Sequence, residues 1–125
     1  MARILVIEDT PASAELLDYL LRASGHDVLI ATESSAGLAL AARERPDLVI
    51  CDIQMPGLDG FEVARQLKAS AATKAIPLVA VTALAMVGDR RRVLAAGFDA
   101  YMSKPIDPES FIGLLRPFLG AAAAR

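Results

Sequence analysis

A chain of 125 residues has room for one domain and little more, and at that size about two thirds of the unfolded surface leaves water on folding. Thirteen basic residues against fifteen acidic ones give a net charge of −2, too balanced for the basic face that nucleic acid demands. The one cysteine, Cys51, and the one histidine, His26, exclude an internal disulfide and a thiolate or histidine-rich metal site, so any metal must be held by oxygen.

In chain order, Met1-Ala2-Arg3-Ile4 runs directly into a strand-like stretch without a signal-peptide pattern. The longest nearly apolar run, Leu78 to Val87, is too short to span a bilayer; a soluble cytoplasmic protein is expected. Arg3 to Glu8 reads as the first strand. Thr10-Pro11 then offers a cap and a first-turn proline for a helix whose apolar stripe is Leu16, Leu17, Leu20 and Leu21, ended by Gly25. His26 falls in the following turn and is expected to be exposed.

Asp27 to Ala31 is the second strand, and Ser35 to Glu44 the second helix, weakened by ~1 kcal/mol at Gly37 relative to alanine. Asp47 to Cys51 is the third strand, with Cys51 as a buried small hydrophobe. Phe61 to Ser70 is the third helix, with Glu62, Arg65 and Lys68 as its wet side. Pro77 to Val81 is the fourth strand, and Gly88 to Ala96 the fourth helix, where Arg90, Arg91 and Arg92 form a solvated face. Ala100 to Met102 is the fifth strand. Asp107-Pro108 repeats the cap-and-proline start for a last helix burying Phe111, Leu114, Leu115 and Phe118. Residues 120–125 read as a frayed tail, which bounds the domain at 1–119.

The first, third and fourth strands are apolar throughout instead of alternating, the pattern of strands covered on both faces. Five strand–helix repeats with right-handed crossovers imply an α/β doubly wound, flavodoxin-like parallel sheet in the order 2-1-3-4-5. Its crevice lies beyond the carboxyl ends of the strands, between the first and third. Glu8 and Asp9 end the first strand, Asp52 the third and Thr82 the fourth, and Lys104 follows the fifth. Carboxylates gathered at one edge repel unless a cation sits among them. With oxygen donors alone, Mg²⁺ is the natural cofactor.

Glu8-Asp9, Asp52-Ile-Gln-Met-Pro56 with Asp59-Gly60, Val81-Thr82-Ala83 and Lys104-Pro105 together resemble the signature of two-component response-regulator receiver domains. The stretch from Ala83 to Asp89 resembles the stand-alone receivers of the DivK type. The resemblance implies that Asp52 accepts a phosphoryl group from a histidine kinase or histidine phosphotransfer protein, and that the chain then signals to a downstream protein target. It implies Mg²⁺ bound by the carboxylates of Asp9 and Asp52, by the Gln54 backbone carbonyl, and by Glu8 through water. Lys104 would pair with the phosphoryl group and the Thr82 hydroxyl would reach it, with Tyr101 at the family's aromatic switch position. Gln54 and Leu84 stand where the family tunes dephosphorylation, and Leu84 is expected to shield the phosphoryl bond from water. Phosphorylation is expected to shift the segment from Ala83 to Asp89, bury Tyr101, and change a partner-reading face that includes Arg91 and Ile112.

A monomer or weak dimer is expected, without nucleic-acid or membrane partners, and with no catalysis beyond its own phosphorylation and dephosphorylation. The alternative, a phosphatase acting on small esters through an aspartyl phosphate, needs a second carboxylate two residues after the nucleophile. Gln54 occupies that position and cannot move a proton. Lys104-Pro105 is a candidate cis bond.

Overall fold

The computed structural model describes residues 2–83 and 88–119. Five strands alternate with five helices: β1 (Arg3–Ile7), α1 (Pro11–Ala23), β2 (Asp27–Ala31), α2 (Ser34–Glu44), β3 (Leu48–Cys51), α3 (Gly60–Ala69), β4 (Leu78–Thr82), α4 (Asp89–Ala95), β5 (Ala100–Ser103) and α5 (Pro108–Leu115). A 3₁₀ turn, Arg116–Phe118, follows the last helix. The sheet order is β2-β1-β3-β4-β5 and every pairing is parallel, as the continuous apolar runs require.

The reason is visible in the burial. All of β3 and β4, and β1 beyond Arg3, are buried, whereas the edge strands β2 and β5 are only partly so. Ile4, Val6, Ile50 and Val79 point to one face, where Leu17 and Leu21 of α1 and Phe111 and Leu115 of α5 cover them. Leu5, Ile7, Val49 and Ala80 point to the other, beneath Ala41 of α2, Val63, Ala64 and Leu67 of α3, and Val93 of α4. Each large aliphatic side chain so buried contributes about 1.5–3 kcal/mol.

The stripe on α1 is narrower than its leucines suggest. Leu17 and Leu21 are buried, Leu20 is half-buried, and Leu16 is 37% exposed on the outer side. Thr10 sits at the α1 N-cap position but makes no side-chain cap; its backbone N–H donates instead to Glu8 Oε1 at 3.1 Å. Asp107 does cap α5, accepting from the Ser110 N–H. On α5, Phe111 and Leu115 are buried, while Leu114 and Phe118 are half-buried against the same core.

Gly37 has a packing reason that outweighs its helix penalty. A Cβ there would lie 2.5 Å from Ile7 Cδ1, so glycine lets α2 lie against β1. His26 is half-buried instead of exposed, and its Nδ1 accepts from the Ala2 N–H at 3.1 Å. Burial lowers its pKa below the ordinary histidine value. Lys68 is more than part of a wet face: its ammonium donates to the Lys74 and Ile76 carbonyls and lies 3.8 Å from Asp99. Among the described residues, no helix is long and apolar enough to cross a membrane.

Candidate functional site

Register alone places the polar residues together. Ile7 pairs with Cys51, so Glu8 and Asp52 leave neighbouring strands side by side. Thr82 pairs with Ser103, which puts Lys104 one residue beyond the edge strand, where its N–H donates to the Thr82 carbonyl at 2.8 Å. The crevice thus gathers residues from β1, β3, β4 and β5 at the carboxyl edge.

Asp52 is 5% exposed and Glu8 1%, with Asp9 half-buried beside them. One carboxylate oxygen of each lies within 4.8 Å of the others. From across the sheet, Lys104 Nζ donates to Asp52 Oδ2 at 3.2 Å and forms an ion pair with Glu8 Oε2 at 3.0 Å. Asp52 Oδ1 accepts from the Gln54 N–H at 3.1 Å, and the Asp52 N–H donates to the Ile7 carbonyl at 3.0 Å. The nucleophile candidate is therefore held at both ends of its residue.

Electrostatics mark the cluster as underneutralised. Burial raises the Glu8 carboxyl above the usual carboxylate value; the Lys104 ammonium pulls it down, and the Asp52 charge pushes it up again. Burial works against the charged form of Lys104, yet Glu8 and Asp52 together raise its pKa above the usual lysine value. Three carboxylates meet one ammonium, and the balance matches one divalent cation. Glu8 Oε2 is buried, and the Lys104 ammonium it pairs with is shared with Asp52, which leaves acceptor capacity of the kind that a metal-bound water satisfies. The all-oxygen donor set suits Mg²⁺, which keeps waters and takes one or two protein carboxylates.

Helix α3 begins immediately behind this cluster. Asp59 caps it by accepting from the Glu62 N–H at 3.0 Å, and the Gly60 N–H donates to the Ile53 carbonyl at 2.8 Å. A Cβ on Gly60 would lie 2.6 Å from both the Asp52 carbonyl oxygen and Ile53 Cα, so glycine is needed for this approach.

The other expected residues fall as follows. Thr82 is fully buried at the end of β4. Tyr101 is half-buried against the core beneath α3 and α4, and burial together with the Asp89 charge raises its phenol pKa. Gln54 is exposed. Leu84, and with it most of the segment from Ala83 to Asp89, lies outside the described residues. Lys104–Pro105 is cis. Cys51 is fully buried, donates Sγ–H to the Asp52 carbonyl, and has its thiol pKa pushed up by burial, an inert setting. Arg90, Arg91 and Arg92 are exposed as expected; Arg92 also stacks 4.9 Å from the Phe61 ring centroid, which ties α4 to α3, and pairs within α4 with Asp89 at 3.5 Å. Nothing local in the sequence marks that contact, nor the Ser34 hydroxyl that reaches the loop after β3.

Residues 4–116 match the response regulator receiver domain family. DivK, a polar-differentiation response regulator of Brucella anthropi, is 39% identical over 119 residues, covering 95% of this chain and 97% of DivK. The PilH protein of Pseudomonas aeruginosa is 40% identical over 119 residues, with 95% and 98% covered. PleD, a response regulator of Caulobacter vibrioides, is 44% identical over 106 residues; the match takes in 85% of this chain and 23% of PleD, so the chain spans about a quarter of that relative. Among solved structures, the receiver domain of sensor histidine kinase PA1611 from Pseudomonas aeruginosa, which has a magnesium ion in its active-site cleft, superposes with a TM-score of 0.87 at 30% identity, covering 95% of this chain and 98% of that one. The chemotaxis protein CheY4 of Vibrio cholerae gives 0.88 at 26% identity, with 95% and 99% covered. This chain belongs to the response regulator receiver domain family of two-component signalling.

Proposed function

We propose that this receiver is switched by phosphorylation of Asp52, with Mg²⁺ held by the Asp9 and Asp52 carboxylates, the Gln54 backbone carbonyl and, through water, Glu8. The observation that carries the reading is the shared ammonium: Lys104 contacts Asp52 and Glu8 in a cluster whose remaining charge is negative. Receivers take their phosphoryl group from histidine kinases or histidine phosphotransfer proteins, and the same class of donor is assigned here.

An Asp52 carboxylate oxygen forms the new bond to phosphorus as the phosphohistidine P–N bond breaks, and the imidazole leaves with that electron pair. The backbone N–H of Gln54 and the ammonium of Lys104 orient the carboxylate for in-line attack. Lys104 then follows the developing charge onto the phosphoryl oxygens, which loosens its hold on Glu8. Mg²⁺, when bound, supplies charge neutralisation between Asp52 and the transferred group. The Thr82 hydroxyl, at the same sheet edge, bonds the phosphoryl oxygens in the switched state, and a half-buried Tyr101 completes its burial there. The output goes to a downstream protein target, and the domain extends over residues 1–119. Catalysis stops at the domain's own phosphorylation and dephosphorylation, tuned by Gln54 and Leu84.

Incubation with Mg²⁺ and a small phosphodonor, followed by intact mass, tests the assignment. Wild type gains one phosphoryl group. Asp52→Asn keeps the shape and loses the nucleophile, so its mass stays unchanged while circular dichroism shows the same fold. A variant that still gains the group removes Asp52 from the role.

A further inference from the structure

Ser34 opens α2 and lies outside the carboxylate cluster, yet it is 4% exposed and fully committed. Its hydroxyl donates to the Leu58 carbonyl at 2.5 Å and lies 4.0 Å from Met55 Sδ. It thus touches both flanks of the Pro56-Gly57 turn in the loop that leaves Asp52 and enters α3. A hydroxyl at this place in a helix could serve its own first turn, and the α2 N-cap residue, Glu33, provides no side-chain cap. Ser34 nevertheless spends its one proton on the neighbouring loop.

Among the described residues, hydrogen bonds from backbone N–H groups tie that loop near its ends. The Gln54 N–H reaches Asp52 Oδ1, and the Gly60 N–H reaches the Ile53 carbonyl. Between them Gln54, Pro56, Gly57 and Leu58 are exposed, and Gly57 turns the chain with φ at +79°. Met55 anchors the middle by burying its side chain in the core. Among the described residues, Ser34 is the side chain that hydrogen-bonds this stretch from a different element.

The geometry points to Ser34 as a positioning residue for the metal–phosphoryl site: its hydroxyl fixes the middle of the loop so that the Gln54 backbone carbonyl is presented beside Asp52. The inference rests on the metal reading given above. Mg²⁺ demands near-octahedral geometry, so a carbonyl ligand on a loosened loop loses affinity even with every carboxylate intact. Outer groups that orient ligands are worth about 10–100-fold in metal affinity, and Ser34, acting through a loop, belongs at the lower end.

The test uses the full chain as wild type, Ser34→Ala, Ser34→Thr and the neighbouring exposed Ser35→Ala. Mg²⁺ affinity is read by titration calorimetry, and amide exchange from Ile53 to Leu58 is read without metal. Ser34→Ala is expected to bind Mg²⁺ about tenfold more weakly and to exchange faster in that loop alone. Ser34→Thr, which keeps the hydroxyl, restores both, and Ser35→Ala changes neither. Unaltered Mg²⁺ affinity in Ser34→Ala, or a loss that Ser34→Thr fails to restore, overturns the proposal, as does faster exchange spread over the whole sheet. Wild type that binds no Mg²⁺ would instead remove the metal reading; the exchange measurement then decides the loop strut by itself, and unchanged loop exchange in Ser34→Ala refutes it.

Discussion

The residues of the crevice divide by how directly they would meet a cation. Asp9 is half-buried and open to the cleft edge, whereas Glu8 is sealed beneath it with Oε1 already taken by the Thr10 N–H. Asp9→Ala is therefore expected to weaken Mg²⁺ binding by at least about tenfold, the scale of a lost carboxylate ligand, and Glu8→Ala by less. Titration calorimetry on the two variants decides the order, and equal losses would mean that both carboxylates bind alike. His26 gives a separate, pH-dependent expectation. Its pKa is lowered in the folded chain by burial, so the unfolded chain binds the proton more tightly and stability rises with pH. The contribution is fully present above the ordinary histidine value of about 6.5 and is lost as pH falls through the lower folded value, where protonation of Nδ1 ends its bond from the Ala2 N–H. Urea melts of wild type and His26→Asn at pH 7.5 and pH 5 should show a larger fall on acidification in wild type. Equal falls would show that His26 does not couple to folding.

At the scale of elements, the junction of β3 and α3 is where sequence and geometry constrain each other most. Asp59 caps α3, and Gly60 lets the helix start 2.6 Å, measured from an imagined Cβ, from the backbone of Asp52 and Ile53. Asp59→Ala should cost about 1 kcal/mol, the usual value of an N-cap. Gly60→Ala should cost about 1–3 kcal/mol, because the obstructing atoms are backbone and cannot rotate away. It should also displace the Asp52 carboxylate and slow phosphorylation, an effect that Asp59→Ala lacks or shows only weakly. Denaturant melts paired with phosphodonor labelling separate the two consequences. If Gly60→Ala labels at the wild-type rate, the helix start does not position Asp52.

Across the whole molecule, two cores on opposite faces of one sheet hold the crevice in place. Phe111 is fully buried where α5 packs on the face of Ile4, Val6 and Val79, the face away from α3 and α4. Phe111→Leu should lower stability by about 1–3 kcal/mol through lost packing while leaving Mg²⁺ affinity within about twofold. A large loss of affinity in that variant would reveal that the two faces are coupled through the sheet.

Much of this could be read from the linear chain because its signals are local. The apolar runs within Arg3 to Glu8, Asp47 to Cys51 and Pro77 to Val81 have the pattern of strands covered on both faces. Once their parallel order is set, Glu8, Asp9, Asp52, Thr82 and Lys104 must meet at one edge, since each stands at a strand's carboxyl end. The helix starts at Pro11 and Asp107-Pro108 were legible for the same reason, whereas Thr10, spelled like a cap, left its hydroxyl out of that role. Only the tertiary structure decided which leucines of α1 are inside, that Gly37 yields to Ile7, that Lys68 binds loop carbonyls, that Arg92 stacks on Phe61 and that Ser34 holds Leu58. Those choices depend on packing between segments far apart in the chain, and periodicity records which face of an element is buried without recording what lies opposite it.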